Sequence, residues 1–206
     1  MLIFLRHNLA FLATPKTGTT AVEMALRSQA EIAFSRDRKH ITAARYANKV
    51  APFLEDTFGI RPPSLAVMRE PVDQLRSWYR YRLQDRLAGS PASTRGIDFD
   101  GFVREVLMED PPERARVGRQ FSFLTDGADQ VMADHLIAYE TPQVLLDFLG
   151  ARLGQPVTLE ERNVSPTAEA PISEETLALL RRSRAEDFAL HDRLLAEGGH
   201  LRFGAD

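Results

Sequence analysis

Lysine, glycine and threonine crowd one short stretch of this sequence, Pro15-Lys16-Thr17-Gly18-Thr19-Thr20. Residues of these types at this spacing suit the holding of an anion, because Lys16 brings a positive charge and the hydroxyls of Thr17, Thr19 and Thr20 bring donors. A second basic position, Arg69, closes the apolar run Ser64 to Met68, and Ser77 follows eight residues later. His40 offers a ring that titrates near neutrality and so suits proton transfer. The chain has no cysteine, which excludes thiol catalysis, disulfides and cysteine-bound zinc. His135, His191 and His200 lack the spacing of metal ligands, so no metal is expected and all three read as structural or surface residues.

These side chains need elements to place them. Leu9 to Ala13 has strand character, and Ala21, Val22, Met24, Ala25 and Leu26 open a helical pattern, so the Lys16 segment is the loop of a strand-loop-helix unit. A loop at the start of a helix presents unpaired N–H groups and the positive end of the helix dipole. Phosphate-binding P-loops use the same device, but their pattern GxxxxGK[ST] puts lysine after the second glycine, whereas Lys16 precedes Gly18. Taken alone, the string also fits an ordinary turn before a threonine-capped helix. Upstream, Met1 to Leu5 and Leu9 to Ala13 predict a hairpin around Arg6-His7-Asn8. Downstream, Ser64 to Met68 predicts a strand with Arg69 at its carboxyl end. Pro71 suits the first turn of a helix whose stripe is Val72, Leu75, Trp78 and Tyr79, with both aromatics expected in the core. Ligands of open parallel sheets gather beyond the carboxyl ends of the strands, which would put Arg69 and the Lys16 loop on one edge.

The string PKTGTT after a strand resembles the 5′-phosphosulfate loop of sulfotransferases that use 3′-phosphoadenosine-5′-phosphosulfate (PAPS), and VMREPVDQLRSWYRYR is similar to their 3′-phosphate element. In that family a strand-end arginine and a serine eight residues on hold the 3′-phosphate, the positions of Arg69 and Ser77. The resemblance extends more weakly to HLIAYET, to a helix from Pro142 to Leu153, and to ERNVS around Asn163, which points to the bacterial and carbohydrate-modifying branch. The glycine-rich RKG element of the small-phenol and steroid branch is missing. The resemblance implies an α/β fold, a three-layer sandwich around a central mainly parallel sheet of P-loop-like sulfotransferase type. It implies PAPS as donor, with Lys16 at the bridging oxygen and sulfonate and Thr17, Gly18, Thr19 and Thr20 on the 5′-phosphate. His40 resembles the histidine that carbohydrate sulfotransferases place after their first helix and becomes the candidate base, with an acidic loop residue as the alternative. Glu70 is expected to orient Arg69. The acceptor would be a carbohydrate or another small hydroxylated molecule.

The remainder of the chain is read as support. After the charged break Ser35 to Lys39, His40 leads a helical segment ending near Gly59. Loops over Arg82 to Asp98 and Glu109 to Gly118 flank a helix Phe99 to Met108 and are candidates for acceptor walls, a lid or plain connectors. Ser173 opens one long packing helix. The 206 residues suit a single domain; 44% are hydrophobic and 27% charged, and the net charge of −3 points away from nucleic acid as a general partner. The apolar N-terminus is broken by Arg6, His7 and Asn8, so neither a signal peptide nor a membrane span is expected, and a cytoplasmic protein is. Two other classes stay open: a P-loop kinase or hydrolase working with Mg²⁺, and a catalytically silent nucleotide-binding module.

Overall fold

The computed structural model describes residues 1–160 and 168–204. Asn163 and its neighbours in ERNVS lie outside the described residues.

The chain opens with the hairpin of β1 (Leu2–Phe4) and β2 (Leu9–Phe11), paired antiparallel with Ile3 opposite Ala10. Asn8 takes a left-handed φ of 48° in the turn, a conformation its short polar side chain tolerates. From β2 the chain runs through α1 (Thr19–Leu26) and returns to β4 (Ser64–Met68), parallel to β2. It crosses again through α4 (Pro71–Arg82), α5 (Phe99–Val106) and α6 (Gln120–Leu124) to β5 (His135–Ala138), parallel to β4. Two short strands complete the edges, β3 (Ile32–Ala33) antiparallel on β1 and β6 (His200–Arg202) antiparallel on β5. The order is β3-β1-β2-β4-β5-β6.

The sheet is therefore mixed, not mainly parallel as expected from sequence. Parallel pairing is confined to β2, β4 and β5, which helical crossovers connect; β1 meets β2 through a tight turn, which enforces antiparallel pairing. The parallel trio is the part that positions the predicted residues.

Strand alternation explains the layers. Leu2, Phe4, Leu9, Phe11, Leu65, Val67 and Ile137 share one apolar cluster with Val22 and Leu26 of α1 and with Leu145, Leu149 and Leu153 of α7 (Pro142–Leu153). Ile3, Ala10, Ala66, Met68, Leu136 and Ala138 point the other way. They meet the helical run of α2 (Ala43–Arg45), a π-turn over Tyr46–Val50 and α3 (Ala51–Phe58), together with α6 and α9 (Ala185–Ala196). Helices thus cover both faces. A third cluster, built without strand residues, packs Val72, Leu75 and Tyr79 of α4 on Phe99 and Phe102 of α5 and Leu180 of α8 (Glu174–Ser183). The predicted single C-terminal helix is two, α8 and α9, because Arg184 leaves helical geometry at φ −126°, ψ 38°. That break starts a new helix whose first turn carries buried Asp187, which accepts hydrogen bonds from Arg119 and from the Phe121 N–H.

One polar staple holds the entry of the parallel strands. Asp134 Oδ2 accepts from both the N–H and the hydroxyl of Ser64 at 2.7 Å, tying the starts of β4 and β5. No helix among the described residues is long and apolar enough to cross a membrane.

Candidate functional site

The loop from Thr14 to Gly18 leaves the carboxyl end of β2 and turns by left-handed residues. Lys16 has φ 68° and Gly18 has φ 73°, while Thr17 between them stays outside that region. Alternation of hand aims successive N–H groups at one side of a loop. Among the described residues, the N–H groups of Lys16, Thr17, Gly18, Thr19 and Thr20 find no acceptor, and the first helical bond runs from the Ala21 N–H to the Gly18 carbonyl at 3.0 Å. Gly18 caps α1 without a side chain, so the donors at the helix start stay open. The Thr17 hydroxyl donates to the Thr14 carbonyl at 3.0 Å, which closes the loop on itself and leaves Thr17 to act through its backbone N–H.

Arg69 stands one residue beyond β4, on the same edge of the sheet. Its backbone is clamped by Gln120, whose Oε1 accepts from the Arg69 N–H at 2.9 Å and whose amide donates to the Arg69 carbonyl at 2.7 Å. The guanidinium lies 4.4 Å from the centroid of the Tyr139 ring, and its buried Nε has no hydrogen-bond partner. No carboxylate pairs with Arg69 among the described residues. Buried donors are rarely left in this state, and a guanidinium held by an aromatic face alone is ready for an incoming anion. Glu70 does not orient it, contrary to the sequence expectation. Its carboxylate accepts from the Asp73 N–H at 2.7 Å and serves as the cap of α4.

Helix α4 begins at Pro71, as expected, and Val72, Leu75 and Tyr79 form its buried stripe. Trp78 is half-buried and packs at the edge of the same apolar cluster. Its indole also joins the cleft wall, with a buried Nε1 that has no partner among the described residues. Ser77 also lines this wall, and its hydroxyl has no bond to another described residue.

Lys16 reaches across to α4. Its ammonium lies 3.6 Å from the centroid of Tyr81 and 5.0 Å from that of Trp78, with Arg86 4.7 Å from Tyr81 and Arg82 5.4 Å from Trp78. Burial, reinforced by the charges of Arg69, Arg86, Arg82 and Lys39, lowers the Lys16 pKa to about 7. An ammonium in so cationic a place gains from any anion that enters.

His40 is held at the loop before α2. Its Nδ1 lies 2.6 Å from the Ala13 carbonyl, an acceptor, so Nδ1 carries the hydrogen and Nε2 keeps its lone pair. Burial pushes the ring below the ordinary histidine value, with the Ala13 bond opposing and Lys39 adding to the shift. Lys39 itself pairs with Glu23 of α1 at 3.1 Å.

Lys16, Thr17, Gly18, Thr19, Thr20, His40, Arg69 and Ser77 all line one cleft of about 1190 Å³. Segments far apart in sequence thus converge on a space large enough for a nucleotide and a second molecule. The lining combines apolar residues, Val22, Pro142, Leu145 and Leu146, with the cations Lys16, Arg69, Arg80 and Arg86. Sequence reasoning missed Trp78, Tyr81 and Tyr139 as site residues. The spacing of Ser77, Trp78 and Tyr81 on one side of α4 was the available signal for two of them; Tyr139 had none, because its contacts are with chain segments distant in sequence. Arg80 donates to the Ala168 carbonyl at 3.1 Å and Arg76 to the Ala170 carbonyl at 3.2 Å, so α4 also fixes the segment that closes the cleft's far side.

Compared with models of known protein families, with curated proteins and with solved structures, the chain gives no match.

Proposed function

We propose that this cleft takes 3′-phosphoadenosine-5′-phosphosulfate and that the protein transfers its sulfuryl group to an acceptor hydroxyl, in a P-loop-like sulfotransferase fold. One observation carries the reading: two separate anion seats, the N–H groups from Lys16 to Thr20 and the Arg69 guanidinium, neither partnered among the described residues, face one cleft from the ends of the neighbouring parallel strands β2 and β4. A nucleotide phosphorylated at both its 5′ and 3′ positions fits two such seats. The resemblance of PKTGTT and VMREPVDQLRSWYRYR to the two phosphate elements of PAPS-dependent enzymes supports the same assignment.

When bound, the donor supplies the electrophilic sulfur and a bisphosphate leaving group. This chain's residues do the rest. The loop N–H groups and the hydroxyls of Thr19 and Thr20 hold the 5′ end, Arg69 and Ser77 hold the 3′-phosphate, and Lys16 sets a positive charge where the leaving group gains negative charge. His40 presents a free Nε2 and accepts the proton of the attacking hydroxyl. The acceptor is a carbohydrate or another small hydroxylated molecule.

Thermal melting tests the donor. At about 100 times its dissociation constant, 3′-phosphoadenosine-5′-phosphate (PAP) should stabilise the fold by about 2.7 kcal/mol, a rise of about 5–11 °C for this size. ATP with Mg²⁺ and 5′-AMP should give less. A shift with ATP and Mg²⁺ alone would replace this reading by a phosphotransferase, and a PAP shift without transfer to any hydroxyl would leave a silent binding module.

A further inference from the structure

The two anion seats are not independent pieces of the cleft, because one side chain touches both. Tyr139 follows β5, and its backbone N–H donates to the Met68 carbonyl at 2.8 Å, so the residue is pinned beside the end of β4. Its ring carries the Arg69 guanidinium 4.4 Å from the centroid. The Cε2 edge of the same ring stands so near Gly18 that a Cβ there would lie 3.1 Å away, tighter than ordinary packing permits. Gly18 is therefore needed twice, for its left-handed φ of 73° and for this approach. The neighbouring Glu140 locks the arrangement from behind. One carboxylate oxygen accepts from the Glu70 N–H at 2.8 Å, and the other lies 3.1 Å from Nε2 of buried His191.

The ring has freedom to respond to what binds. Tyr139 is 39% exposed, and its hydroxyl bonds to no other described residue. Among the described residues Arg69 has no carboxylate partner, and the ring is the surface against which its guanidinium settles.

We propose that Tyr139 is a positioning residue that couples the loop seat to the Arg69 seat, so that an anion held at one favours an anion held at the other. The inference rests on the reading of the cleft as a bisphosphate site. Coupling of this kind is an affinity factor shared by both ligands and is read from how far a doubly phosphorylated nucleotide exceeds its two halves.

Calorimetric titration of PAP, 5′-AMP and 3′-AMP into the full chain and its variants provides the test. Tyr139→Phe keeps the ring and should match the wild type with all three nucleotides. Tyr139→Leu should weaken PAP by about tenfold or more, and by more than the product of the factors by which it weakens the two monophosphates. It should also weaken 5′-AMP in an Arg69→Ala background, where support of the guanidinium no longer counts. Equal losses for PAP and 3′-AMP would reduce Tyr139 to a prop for Arg69 and overturn the coupling. A wild type that prefers PAP while Tyr139→Leu binds it equally well sinks this inference alone. A wild type that does not distinguish PAP from 5′-AMP overturns the bisphosphate reading and the coupling with it. Melting of each variant without nucleotide separates these outcomes from loss of fold.

Discussion

Lys16 and His40 need opposite protonation states for the proposed transfer, and burial lowers the pKa of both. His40 must be neutral to accept a proton, and burial keeps its pKa below the ordinary value near 6.5. Lys16 must be charged, and in the free protein its pKa is lowered to about 7. Sulfuryl transfer measured as kcat/KM should therefore rise with pH through the lowered His40 pKa and fall as Lys16 loses its proton near pH 7, a bell. Lys16→Arg, which stays charged, should move the alkaline limb upward; an unchanged limb would remove Lys16 from that role. A bound anion favours the charged lysine, so nucleotide affinity should also decline above about pH 7 in the wild type. The two cationic residues differ in what their loss does. Lys16→Ala should lower kcat by about 3–4 kcal/mol of transition-state stabilisation with a smaller effect on PAP affinity. Arg69→Ala should weaken PAP binding by about 2–5 kcal/mol, and calorimetry showing equal affinities would refute its seat. At this scale every residue type was legible in the sequence, since charge and hydroxyl chemistry are local properties. The roles of Thr17 and Glu70 were not, because a hydroxyl turned to Thr14 and a carboxylate turned to Asp73 depend on rotamers that only the folded backbone selects.

Elements with a chemical start signal were legible to the residue. Pro71 and Pro142 each open their helices, since proline has no N–H to lose there and its fixed φ suits the first turn. The cap of α4 makes a separable prediction. Glu70→Ala should destabilise the fold by about 1 kcal/mol, and melting should show it. Its PAP affinity should stay within about threefold of the wild type, since Glu70 holds the helix and not the guanidinium; a loss as large as that of Arg69→Ala would restore the orienting role. The elements missed were those with too little pattern. Ile32–Ala33 and His200–Arg202 are too short for alternation to register, and they become strands because the open edges of β1 and β5 supply partners. The break between α8 and α9 carries neither glycine nor proline. It follows from a tertiary demand, the burial of Asp187 against Arg119 and the Phe121 N–H.

Across the whole molecule, a net charge of −3 surrounds a cleft whose wall is cationic, so the anion site is a local concentration that total charge conceals. Two parallel crossovers create it by bringing the ends of β2, β4 and β5 side by side, with Lys16, Arg69 and Tyr139 just beyond them. By itself the sequence determined the local units: a hairpin, strand-loop-helix transitions at Lys16 and Arg69, and the alternation that puts helices on both faces of the sheet. These depend on periodicity, on proline and glycine, and on side-chain chemistry, all carried within a few residues. The tertiary structure alone decided that the sheet is mixed, that Trp78 and Tyr81 receive the Lys16 ammonium, and that Tyr139 lies against Gly18 and Arg69 together. Those facts belong to pairs of residues far apart in the chain, and their geometry exists only once strand order, register and packing have brought the segments together.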